Sequence, residues 1–167
     1  GFCISLNMVE KMKSNHKTVK YVPNGIDTNV FHNQKKKRKK VILAVGSLKK
    51  EKSFDNLIMG FNKFYNKNKD YELHIAGEGH LRLELELLIK EEGLKDKVHL
   101  CGNLDLNELI DEYNSAECFI LSSYTEGFPK VILEALFCGC KVVATDVGSV
   151  KDILPQKYII PNNSVAN

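Results

Sequence analysis

The sequence has 167 residues, 43% of them hydrophobic and 27% charged, with a net charge of +3. That length suits one soluble domain, and no run approaches the 18 or more consecutive apolar residues of a membrane-spanning helix. One run, "KKKRKK" at Lys35–Lys40, carries six positive charges, so the remaining residues sum to three minus six, or −3. The basicity is therefore local. A nucleic-acid binder spreads Lys and Arg over a face and interleaves aromatics, and this run contains none, so no nucleic-acid partner is expected. Such a run reads as a solvated loop with a possible contact on an anionic membrane.

Five cysteines occur, at Cys3, Cys101, Cys118, Cys138 and Cys140. The odd number and the absence of CxxC spacing argue against a disulfide framework and fit a reducing cytoplasm. Cys138-Gly-Cys140 has no second Cys/His pair at zinc-ligand spacing, so it reads as a helix end, a Gly stop and the start of a strand. The opening residues "GFCISLNMVEKMK" lack a basic leader and a small-residue cleavage site, and no signal peptide is expected.

In chain order, "FCIS" and "LNMVEKMKSN" read as strand then helix, and "TVKYV" as a strand entering a turn at Pro23-Asn24-Gly25. Residues 1–15 are expected to be the tail of a preceding acceptor-binding domain, 16–40 a linker and entry segment, and 41–167 the main domain, truncated at its C-terminal end. "KVILAVGS", Lys40–Ser47, is the apolar run of a buried parallel strand. Phe54, Leu57, Ile58, Phe61 and Phe64 then recur at helical spacing behind Ser53, a candidate N-cap. "YELHIAG" is the next strand. The helix "HLRLELELLIKEEG" follows, with Leu81, Leu85, Leu88 and Ile89 as its apolar stripe and Gly93 as its stop. "DKVHLCG" (strand), "DLNELIDEYNSA" (helix), "ECFILSS" (strand), a helix from Pro129 to Cys138, "CKVVATD" (strand), a short helix over 149–154 and "KYIIP" (strand) complete the pattern. Alternating strands and helices with short connections predict an α/β, Rossmann-like doubly wound parallel sheet with helices on both faces.

Ligands of such sheets sit beyond the carboxyl ends of the strands. The five ends are "GSLKKEKS", "GEGH", "CGNL", "SSYTEGFPK" and "TDVGS", each with glycine, as close backbone approach or tight packing requires. Gly77-Glu78-Gly79 lacks the third glycine of a dinucleotide fingerprint. The fourth end is the richest. Pro129 suits a first helical turn, and the amides of Phe128, Lys130 and Val131 at a helix N-terminus offer an anion site, with Lys52 as an added cation. If Glu126 to Glu134 were all helical, the rise between them would be about 12 Å. That exceeds the roughly 5–9.5 Å of a glycosidase carboxylate pair. A diphosphate-linked ligand, gripped at both ends, fits better.

These residues carry a family resemblance. "VPNGID", "VGSLKKEKSFDNLI", "HIAGEG", "GLKDKVHLCGN", "ECFILSSYTEGFPKVILEAL" and "GCKVVATDVGSVKDIL" occur in order over about residues 19–161. Together they resemble the C-terminal, nucleotide-sugar-binding half of a retaining GT-B glycosyltransferase of group 1, also called family 4. The resemblance implies that Glu126 lies near the transferred sugar as the catalytic residue and that Glu134 binds the ribose. Gly127, Phe128, Pro129, Lys130 and Val131 fall in the segment that reaches sugar and diphosphate. Lys52 matches the lysine on the diphosphate, Gly46 and Gly77 line the cleft, and Asn103 and Leu104 hold the base. Ser47 stands where many members have Arg, which removes one cation from the phosphates. Ser149 replaces a frequent second glycine.

The resemblance further implies a nucleotide diphosphate sugar, UDP-linked, as donor substrate, with no cofactor and no metal site. The acceptor would be a glycan or lipid-linked saccharide of surface polysaccharide biosynthesis, bound through an N-terminal domain. A cytoplasmic location is expected, with peripheral contact at the inner face of the membrane through Lys35–Lys40. The isolated chain is expected to bind donor without efficient turnover. Rival classes are a non-catalytic nucleotide-binding module and a GT-B isomerase of the nucleotide-sugar epimerase type.

Overall fold

A computed structural model describes residues 2–3, 20–21 and 25–162 of the chain. The helix expected over 6–15 and the turn at Pro23-Asn24 lie outside the described residues. Strands β1 (Phe2–Cys3) and β2 (Lys20–Tyr21) pair in parallel. The main body is a six-stranded, all-parallel sheet of β3 (Lys39–Val45), β4 (Glu72–Ala76), β5 (Val98–Gly102), β6 (Ala116–Leu121), β7 (Lys141–Thr145) and β8 (Ile159–Ile160). Its order is β5-β4-β3-β6-β7-β8, so strand order reverses between β3 and β6. The predicted doubly wound sheet is the observed one.

The alternation of β3 explains its position. Val41 and Leu43 point into one apolar cluster, and Ile42 and Ala44 into the other. A strand buried on both faces cannot afford polar alternation. One face carries α1 (Phe54–Tyr65) and α2 (Arg82–Glu91), which contribute Leu57, Ile58, Phe61, Leu85 and Ile89. The other carries α3 (Leu106–Ser115) and α4 (Lys130–Phe137), which contribute Tyr113, Ile132 and Ala135. A single turn, α5 (Val150–Ile153), precedes β8.

Several local expectations are corrected. Ser53 stands at the start of α1 in the left-handed region, with φ of 54°, and its side chain makes no cap. The cap that does form is at α3. Asp105 Oδ1 accepts from the amides of Asn107 and Glu108, and Glu108 Oε2 accepts from the Asp105 amide, the reciprocal pattern of a capping box. Phe64 is exposed rather than part of the apolar stripe and meets Tyr71 edge-on at 5.1 Å. The last strand is two residues long because a 3-10 turn takes Gln156–Tyr158.

The basic run is not a uniform solvated loop. Lys39 and Lys40 open β3, and Lys40 pairs with Asp70 at 2.8 Å. Lys36 pairs with Asp111. Arg38 turns inward: Nη1 donates to the Tyr113 and Ala116 carbonyls at 2.6 and 3.0 Å, and Nη2 to the Cys138 carbonyl at 2.5 Å. It thereby satisfies carbonyls at the C-terminal ends of α3 and α4, which have no intrahelical donor. Cys138 and Cys140 are buried free thiols, and burial pushes the Cys140 thiol up to about 12. A thiol so held is protonated and unreactive.

Candidate functional site

The site forms where strand order reverses. β3 leaves the sheet through Gly46 and a 3-10 turn at Lys50–Lys52. β6 leaves through Ser122–Pro129 into α4. Two bonds stitch these loops together. Ser122 Oγ donates to the Lys52 carbonyl, and the Tyr124 amide donates to the Glu51 carbonyl, both at 2.8 Å. With its backbone held, Lys52 places Nζ 2.6 Å from Glu126 Oε1, and Ser123 Oγ donates to the same oxygen at 2.7 Å. The two charged side chains are only 23% and 13% exposed. Partial desolvation strengthens such a charge-assisted contact over a surface pair.

The loop after β7 fixes the other side. Ser149 donates to the Gly127 carbonyl from both its amide and its hydroxyl, at 3.2 and 3.1 Å. Gly148 adopts φ of +52°, and a Cβ there would lie 2.4 Å from the Glu126 carbonyl oxygen. Only glycine lets the two backbones meet so closely. Thr145 Oγ1 donates to the Ser123 carbonyl at 2.6 Å. α4 then begins at Lys130, with Pro129 at the N-cap position. The first amides of α4 have no partner within the helix, and the loop that carries Glu126 leads directly into them.

A second group sits at the ends of β3, β4 and β5. Gly46, Ser47, Gly77, Asn103 and Leu104 line one cleft of about 260 Å³, together with Glu78. The strand ends are laced by backbone: the Gly46 amide donates to the Ala76 carbonyl at 2.9 Å, and the Gly77 amide to the Gly102 carbonyl at 2.7 Å. Gly77 has φ of +137°, and a Cβ would fall 2.0 Å from the Gly46 oxygen. The glycines at the strand ends thus serve contacts between loops. A Cβ on Gly46 would sit 3.3 Å from Lys52 Cδ, so the lysine stem joins the cleft to the ion pair. A larger apolar cavity of about 390 Å³ lies between α1 and the sheet, and none of the predicted donor residues lines it. Size alone does not select the site; converging polar groups do.

Glu134 stands apart from that ion pair, one turn into α4. Its Oε2 accepts from the Tyr113 hydroxyl at 2.9 Å. Burial raises the Glu134 pKa above the usual carboxylate range, with Tyr113 partly opposing the shift. The fully buried Tyr113 hydroxyl is pushed well above its usual value, first by burial and then by the Glu134 charge. Sequence reasoning missed Tyr113, Ser122 and Ser123. The signal for Tyr113 was available: it follows Leu109 and Ile110 on an apolar helix stripe, and a buried tyrosine hydroxyl needs a partner.

A six-stranded parallel sheet whose strand order reverses between β3 and β6, with helices on both faces, defines a Rossmann-like domain. Residues 25–166 match the family described as glycosyl transferases group 1, and the chain belongs to that family. It is 31% identical over 156 residues to a human phosphatidylinositol N-acetylglucosaminyltransferase subunit, covering 92% of this chain and 32% of that protein. The C-terminal domain of the group 1 glycosyl transferase LpcC from Francisella tularensis superposes with a TM-score of 0.74 at 25% identity, covering 85% of this chain and 83% of that one. Anabaena HepE, solved with UDP, superposes with a TM-score of 0.84 at 17% identity, covering 99% and 52%. The chain spans about a third of the length of the curated relatives it first matches. Its fold is the C-terminal half of a GT-B glycosyltransferase. Among the described residues no helix is long and apolar enough to cross a membrane.

Proposed function

We propose that this chain binds a UDP-linked sugar as the donor half of a retaining glycosyltransferase. One observation carries the reading: Lys52 and Glu126, 74 residues apart, meet at 2.6 Å across the switch point, beside the N-terminus of α4. A cation held on the loop that leads into a helix N-terminus supports a diphosphate as the guest. In this reading the base lies at Asn103 and Leu104, the ribose reaches Glu134, and the diphosphate sits on Lys52 and the amides of Phe128 to Val131. Gly46, Ser47, Gly77, Gly127 and Pro129 let backbone approach the donor. Glu126 serves the transferred sugar and is exchanged from Lys52 to a sugar hydroxyl when donor binds. Lys52 and the α4 dipole stabilise charge developing on the leaving diphosphate, while the anomeric configuration is kept.

HepE, which shares the fold, was solved with UDP, and that supports uracil as the base. The name of the human relative supports a lipid-linked acceptor. Transfer to a glycan or lipid-linked saccharide of a surface polysaccharide, on the cytoplasmic side of a membrane touched through Lys35–Lys37, completes the proposal. The test is a thermal-shift screen with UDP, GDP, ADP and their sugars. A donor that binds only the folded state raises the melting temperature with the logarithm of saturation. UDP compounds are expected to shift it most, and no shift with any of the set refutes the reading.

A further inference from the structure

We propose that β4 and β5 carry a divalent metal site, for Zn2+ by its ligand chemistry, formed by Glu72, His74 and His99. Parallel register sets His74 directly beside His99. Glu72 lies two residues before His74 and so shares its face of the sheet. The two imidazoles stand edge to face, 5.2 Å between centroids and 85° between planes. Each turns Nε2 toward one oxygen: Glu72 Oε2 is 3.8 Å from His74 Nε2 and 3.6 Å from His99 Nε2. One donor atom from each of the three residues lies within 4.8 Å of the others.

Those spacings distinguish a metal cradle from a set of ion pairs. At 3.6–3.8 Å neither imidazole is hydrogen-bonded to Glu72. Ligand atoms around tetrahedral zinc, each bonded at about 2.0–2.2 Å, stand roughly 3.4 Å apart. The Glu72 oxygen needs only a small contraction toward either imidazole, and the His99 side chain, 44% exposed, has room to turn. The second observation is behind His74. Its Nδ1 lies 2.9 Å from Glu112 Oε2 on α3. A carboxylate only accepts, so Nδ1 is the protonated nitrogen of the neutral tautomer, the form whose Nε2 lone pair faces the cluster. A carboxylate that orients a ligating histidine in this way is a regular part of zinc sites.

Charge agrees. Lys97 Nζ approaches the other Glu72 oxygen at 3.4 Å. With neutral imidazoles, Glu72, Glu112 and Lys97 sum to −1, which favours a cation. Two imidazoles and one carboxylate suit zinc and leave one position for solvent. The metal would pin the edge strand β5 to β4, three residues before Gly102, whose carbonyl receives the Gly77 amide. The site stands on its own residues and does not depend on the donor reading.

Co2+ titration of the chelator-treated full chain tests it. One equivalent of Co2+ is expected to give visible d–d absorption of a tetrahedral centre, displaced by Zn2+, and Zn2+ is expected to raise the melting temperature. His74→Gln and His99→Gln should abolish both signals, and His80→Gln should leave them intact. Glu112→Ala should weaken metal affinity by about 10–100-fold, and unchanged affinity would remove its orienting role. Absence of both signals in the unaltered chain overturns the site. So does their persistence in the two histidine variants, or a Co2+–thiolate charge-transfer band reporting cysteine ligation.

Discussion

Glu134 shows how one residue can work against stability. Its carboxyl is half-buried, and its pKa is raised above the ordinary 4.5, chiefly by burial. The folded chain therefore holds this proton more tightly than the unfolded chain does. Its contribution is most favourable below pH 4.5 and declines as pH climbs from there through the raised folded value. Above that window the charge is a liability to the fold. A group kept in that condition is a candidate for binding. Glu134→Gln keeps an acceptor for Tyr113 and removes the charge. It should raise the urea midpoint at about pH 7, lessen the decline of stability at higher pH, and lower nucleotide affinity by about 10–100-fold, the range set by losing hydrogen bonds to a charged group. Calorimetric titration at unchanged affinity would remove the ribose role. Lys52 presents the opposite case. Lys52→Ala strands a largely buried Glu126, and a loss of about 1–3 kcal/mol is expected by urea denaturation. Both residues were legible from the strand-end motifs. Their contact was not, because nothing local in the sequence says that residues 52 and 126 meet.

At the scale of elements, the strands and helices were legible because each repeats its apolar residues at its own period. β3 reads "VILAV" since both its faces are covered, and α2 buries Leu85 and Ile89 as the spacing predicts. Ends were less legible. Ser53 has the chemistry of a cap, but its left-handed backbone removes the geometry, and the working box at Asp105 and Glu108 escaped notice. The basic run is the instructive case. Six like charges in sequence separate in space: Lys39 and Lys40 open β3, Lys36 and Lys40 form surface ion pairs, Arg38 turns inward, and Lys35 and Lys37 stay exposed. Arg38→Ala should cost about 1–3 kcal/mol, because the Tyr113 and Cys138 carbonyls lose the guanidinium and Ala116 keeps only the weak Cys140 thiol donor. The exposed neighbour Lys37→Ala should change stability by less than about 0.5 kcal/mol. Equal effects in thermal unfolding would show that Arg38 is only part of a charged patch. Gly148→Ala is expected to push the Glu126–Gly127 segment away, with a loss of about 1–3 kcal/mol from left-handed backbone alone and weaker nucleotide binding.

For the whole molecule, the order of strands decides where chemistry is possible. Loops from β3, β6 and β7 converge because strand order reverses between β3 and β6. The doubly wound class was legible from alternation. The pairing of the site with particular side chains on α3 was not, since Tyr113 reaches Glu134 only after both helices pack on the same face. If the donor reading holds, a nucleotide at about 100 times its dissociation constant should add about 2.7 kcal/mol to the stability of the whole domain. That gain should appear in one cooperative transition, because β3 is shared by both apolar clusters.

The same central strand sets a timetable for synthesis. Leu43 pairs with His74 on one side and with Phe119 on the other. The buried residues of the cluster of β3, β4, β5, α1 and α2 all lie between Ile42 and Val98, so it can form once β5 has emerged from the ribosome. β6 arrives later, and until then the second edge of β3 offers unpaired amides and carbonyls to any neighbouring chain. Lys39 and Lys40 guard one end of that edge with charge. A released fragment ending near residue 105 should therefore be protease-resistant in its early half yet prone to aggregate, and a fragment extended past Leu121 should regain solubility.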